Sequence, residues 1–130
     1  QHRILIYSQL FLFFRGIVEC FDDIDPSNYL TYCRIGELYE DMREDENAAA
    51  NYLSAFSLAD NKSSRPLESL IRLADKNYPA VEAAIQYAIS RTSNTDALYF
   101  LQASIAFNSG NFRQFCKAVH SLWATAQVHC

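Results

Sequence analysis

Glycine and proline are scarce in this 130-residue chain, with three of each. Seven or eight short strands would need more turn residues than that, so an all-β sandwich or barrel is not expected. No two of the four cysteines, Cys20, Cys33, Cys116 and Cys130, lie close enough to form a CxxC pair. That spacing leaves no basis for a zinc or thioredoxin-type site, and no metal or other cofactor is expected. A transmembrane helix needs roughly 20 apolar residues in a row, whereas the longest unbroken run here, such as Leu10 to Phe14, is five. No stretch alternates cleanly with period two.

The chain has plenty of apolar surface. Half of its residues are apolar and 14% are aromatic, including eight Tyr and nine Phe. That is too much apolar material for a disordered chain and enough for one domain with a real core. A core of this size does not need disulfide staples, so free, mostly buried thiols and a reducing cytoplasmic or nuclear compartment are expected. The formal charge is −4, unevenly spread. Between Asp22 and Glu46 lie nine of the fifteen acids, against only Arg34 and Arg43. Such a stretch repels phosphate backbones, which argues against a nucleic-acid partner. The chain opens on Gln1 rather than Met and has no small-x-small cleavage site after its first apolar run. It is therefore read as an interior piece of a longer protein or a processed one.

Helical spacing accounts for the whole sequence. Residues 1–25 hold an apolar helix with Ile6, Leu10, Phe14, Ile17 and Phe21 at core spacing, broken by Asp25-Pro26-Ser27-Asn28. Further helices are read over 29–42, 47–58, 66–76, 79–91, 96–108 and 111–127, which makes seven. Asn61–Pro66, Asn77-Tyr78-Pro79 and Asn108–Asn111 supply the breaks, and Pro66 and Pro79 suit first turns. The expected fold is all-α, built of antiparallel helix hairpins. Catalysis is not expected. The available groups are His2, His120 and His129 with Cys116. His120 follows Cys116 by four residues on the same helix face, whereas a nucleophile and its base normally come from separate elements with a third group orienting them.

One hairpin carries a recognisable pattern. Tyr32, Ile35, Gly36, Tyr39, Ala48, Tyr52 and Ala55 follow the spacing aromatic-x2-Leu-Gly-x2-Tyr-x8-Ala-x3-Tyr-x2-Ala. Small residues on one helix let the other approach, and large ones fill the grooves beside them. The pattern resembles the tetratricopeptide repeat (TPR). It covers residues 29–62 well and recurs 35 residues later over 63–95, where Leu67, Leu70, Ala83, Tyr87 and Ser90 fit but Ile71 and Ala74 depart from it. A degenerate third unit over 96–127 is anchored on Gly110-Asn111-Phe112. The segment Arg34–Tyr52 is similar to TPR subunits of large eukaryotic complexes such as the anaphase-promoting complex.

The resemblance implies a right-handed superhelix of stacked hairpins and a non-enzymatic role in binding proteins or peptides. By motif position, its concave groove would show Leu30, Cys33, Glu37, Glu40 and Asp41 from the first repeat. Arg65, Glu68, Arg72 and Lys76 would come from the second, and Ala97, Phe100, Ser104, Phe107 and Asn108 from the third. A partner with basic and then hydrophobic character would complement that surface. The co-chaperone subclass, which clamps a C-terminal carboxylate, is not expected, because Cys33 and Glu37 stand where it uses Lys and Asn, and Glu37 would repel a carboxylate. Small TPR chaperones of type III secretion are the alternative. Their apolar N-terminal helix often mediates dimerisation, so self-association through residues 1–25 is also an expectation.

Overall fold

The structure, a computed structural model, describes residues 28–60, 62–93 and 95–129. Among them all regular structure is helical: α1 Tyr29–Asp41, α2 Asp45–Ala59, α3 Arg65–Arg91, α4 Asp96–Asn108 and α5 Phe112–His129. The described residues are thus all-α. The helix expected over 1–25 lies outside the described residues. Of the seven expected helices, those over 66–76 and 79–91 form one element, α3, interrupted only at Asn77 (φ −150°, ψ 75°).

Local chemistry explains each boundary. Asn28 caps α1 by accepting a hydrogen bond from the Leu30 N–H at 2.9 Å. At the other end the Arg43 and Glu44 N–H groups donate back to the Glu40 and Tyr39 carbonyls. This is a Schellman turn, with Arg43 in the left-handed region at φ 61°. The same turn closes α4. Gly110 and Asn111 donate to the Phe107 and Ala106 carbonyls, and Gly110 takes φ 73°. Glycine does this at no steric cost, whereas Arg43 carries strain of about 1 kcal/mol.

The break inside α3 is a cap rather than a loop. The Asn77 side chain accepts from the Ala80 N–H at 3.3 Å, as an N-cap does. Pro79 therefore sits in the first turn of the following helix, where its missing N–H costs nothing. Asn111 caps α5 in the same way, accepting from the Gln114 N–H at 3.3 Å. The residues preceding the second helix of each pair, Glu44, Asn77 and Asn111, are 33 and 34 positions apart.

Packing follows chain order. Each helix lies on the next, and α1 also touches α3. The core runs through the middle of this stack, with Tyr52 and Leu53 from α2, Leu70, Leu73, Val81 and Ile85 from α3, and Leu98, Leu101 and Ile105 from α4. Among the described side chains of α5, Phe112 to Gln127, only Ala118 is buried. No helix among the described residues is long and apolar enough to cross a membrane.

Candidate interaction surfaces

The first surface is the one the repeat pattern selects, the faces of α1 and the first half of α3. Gly36 makes it possible. A Cβ at that position would stand 2.5 Å from Cε1 of Tyr52, so the glycine lets the Tyr52 ring lie flat against α1. The ring is fully buried and its hydroxyl emerges beside Glu40, to which it donates a hydrogen bond. Arg72 of α3 donates to the same carboxylate and, at 3.2 Å, to the Tyr52 hydroxyl. Lys76 reaches the other Glu40 oxygen at 3.3 Å. One turn away Arg65 pairs with Glu37 at 2.9 Å.

Burial alone would raise the Glu40 carboxyl, whose side chain is only 8% exposed. The bonds from Tyr52, Arg72 and Lys76 outweigh that and hold it below the usual carboxylate range. Burial and the neighbouring carboxylate push Tyr52 the other way, so its hydroxyl stays protonated and remains a donor. The cluster is therefore self-consistent: one anion, two cations and one neutral hydroxyl, each partnered within the chain.

This corrects several expectations. Glu37 and Glu40 do not wait for a basic partner, because Arg65, Arg72 and Lys76 have already neutralised them. Cys33 has no exposed surface and cannot line an open groove; burial raises its thiol, which stays protonated and unreactive. Of the remaining positions, Leu30, Asp41 and Glu68 are exposed, and Glu68 accepts from the Ser64 hydroxyl at 3.3 Å.

The packing positions divide in the same manner. Ile35, Gly36, Ala48, Tyr52, Ala55 and Leu70 are buried, and Tyr32, Tyr39 and Leu67 are half-buried. Ala83 is exposed and Tyr87 is 61% exposed, contrary to the 35-residue register. The reason is the joint at Asn77. α1 and α2 are separated by three residues, but the two halves of α3 by one. The register shortens by two, so Val81 and Ile85 take the buried places that Ala48 and Tyr52 hold in α2. Tyr87 turns outward, with the Arg91 guanidinium stacked 4.7 Å from its ring centre.

That outward turn creates a second surface. An open groove of about 910 Å³ runs between α2, the second half of α3 and the start of α4. Its lining mixes small residues such as Ala50, Ala84 and Ala88 with the rings of Phe56 and Tyr87 and the charged side chains of Glu46 and Arg91. The repeat pattern had no means of locating this groove, since it depends on the shifted register.

The third surface is on α4 and α5. Phe100 and Phe107 are 56% and 59% exposed, one above the other two turns apart on α4. Ser104 between them and Asn108 bond only to backbone carbonyls of their own helix. Phe107 meets Phe112 edge-on with ring centres 6.5 Å apart and lies 5.5 Å from Phe115. Phe112, Val119 and Trp123 continue the apolar surface along α5. Cys116 lies on this stripe and is exposed, against the expectation of buried thiols; His120 follows it, also exposed. Among the described residues no group of three or more His, Cys, Asp or Glu side chains could hold a metal ion. No protein-family model, curated protein or solved structure matches the chain.

Proposed function

We propose that this chain is a TPR-like protein-interaction module, a non-enzymatic scaffold segment that receives a helix or extended peptide of a partner protein. One observation carries the reading. The stack leaves five large apolar side chains, Phe100, Phe107, Phe112, Val119 and Trp123, uncovered on its last two helices. Contiguous exposed aromatics of this kind are typical of interaction sites rather than of inert surface. The 33- and 34-residue spacing of the hairpin joints supports the repeat reading, because TPR units are 34 residues long. So does the fit of Gly36 against Tyr52. The partner-facing side moves, however, from the α1–α3 charge cluster to the α4–α5 end.

A photo-crosslinking amino acid at Phe107 tests this, with Glu68 on the exposed part of α3 as control. Irradiation in the native host should give a discrete adduct with one protein from position 107 and none from 68. Equal labelling from both positions, or no adduct from 107, would sink the reading.

A further inference from the structure

The exposed stripe on α5 is edged on one side by charge. Phe112, Cys116, Val119 and Trp123 follow the i, i+4, i+7, i+11 spacing of one helix face, over about 16 Å of helix. Arg113, Lys117 and His120 each come one residue later, which places them in a parallel row about 100° round the helix. All three are exposed, and neither Arg113 nor Lys117 forms an ion pair among the described residues. No acid follows Asp96 in the chain, and Glu82 of α3, which meets the start of α5, accepts from the Gln114 side chain rather than from a cation. The other edge of the stripe is apolar, through Phe115 and its contact with Phe107. At the α1 end the cations are consumed by Glu37 and Glu40; here they are left over.

Building on the interaction-module reading, we infer that α5 docks an acid-edged amphipathic helix of a partner protein. That helix carries an apolar heptad stripe flanked on one side by Asp or Glu, and it lies along Phe112–Trp123 with its acids against Arg113 and Lys117. Charge selects this occupant. Two copies of α5 packed antiparallel on the stripe would set one basic row against the other, which opposes that self-pairing, and a parallel pair would leave both rows without acids. A basic helix would meet the same repulsion. An acid-edged one gains ion pairs at the rim of an apolar contact, where they fix orientation and partner choice.

Trp123 is the chain's only tryptophan, so its fluorescence reports directly on this face. The probes are two three-heptad peptides with leucine at a and d, one carrying glutamate at e and g and the other lysine. The full chain is titrated with each at low salt. The expected result is a blue shift of Trp123 emission with the glutamate peptide, at an affinity about tenfold above that for the lysine peptide. The double variant Arg113→Glu/Lys117→Glu should reverse the preference while leaving the circular dichroism unchanged. Equal affinities, a preference for lysine, or no shift with either peptide overturns the inference. So does a Trp123 emission that is already blue-shifted in the free chain, or that shifts with protein concentration, because the face is then covered by residues 1–27 or by a second copy. Adducts from Phe107 alongside a failed peptide titration would leave the interaction-module reading standing and remove only the acid-edged helix.

Discussion

The two ends of the stack use charge in opposite ways. Between α1 and α3, acids and bases meet within the chain: Glu40 is bonded by Tyr52, Arg72 and Lys76, and Glu37 by Arg65. Along α5 the cations face solvent beside uncovered aromatics. The first arrangement ties α1, α2 and α3 together. The second contributes little to the fold and leaves its groups free for a partner. Charge content alone does not separate these cases. What separates them is whether a helix of the same chain brings the opposite sign into an ion pair: Glu37 and Glu40 are paired, whereas Glu82, the acid that meets α5, is held by Gln114.

The largest expected effect strikes the joined end. Tyr52→Ala empties a fully buried aromatic site and should cost about 3–5 kcal/mol in a denaturant titration. Tyr52→Phe keeps the packing but removes the donor to Glu40, at about 1–2 kcal/mol. Gly36→Ala comes next, at about 2 kcal/mol, because its methyl would collide with the Tyr52 ring and the better helix propensity of alanine offsets only part of that strain. Gly110→Ala should cost about 1 kcal/mol for a different reason: nothing obstructs its methyl, but φ 73° disfavours any side chain.

Acid sharpens the contrast. The Glu40 carboxyl is held below its ordinary value of 4.5, so its contribution to stability is complete above that pH and fades as pH falls further through the folded value. The wild-type melting temperature should therefore drop more steeply below about pH 4.5 than that of Glu40→Gln, which is less stable at neutral pH. The smallest effect belongs to the open end. Phe112→Ser and Trp123→Ser should change stability by no more than about 0.5 kcal/mol. A loss approaching that of Tyr52→Phe would break the comparison, since it would mean that α5 is covered within the chain.

Much of this architecture is written in local residue chemistry. Pro66, Pro79, Gly110 and the asparagines at 28, 77 and 111 mark helix boundaries because each acts within its own turn, the prolines and glycine through the backbone and the asparagines by accepting a nearby N–H. The pairing of Gly36 with Tyr52 is legible for a similar reason: their spacing belongs to one hairpin. The second hairpin is less so. Asn77-Tyr78-Pro79 signals a break but not its length, and a one-residue joint instead of three moves Tyr87 out of the core and Ile85 into it. The charge cluster is harder still. Glu40 and Lys76 are 36 residues apart and meet only because α1 lies beside α3. Motif position places Cys33 on an open face, whereas its burial depends on what packs over that face.

The chain-order packing of the helices also bears on how the molecule forms. Contacts between near neighbours require only short loops to close, a topology associated with fast folding and low entropic barriers. The densest core lies at α2–α3–α4, which is the natural place for a nucleus. From there α5 would add last and open first, since it has one buried apolar side chain among those described, Ala118. Hydrogen exchange should accordingly run fastest in α5 and slowest in the middle of the stack. A partner that docks on α5 would then do more than occupy a surface: it would slow the opening of the least protected helix and raise the kinetic persistence of the whole array.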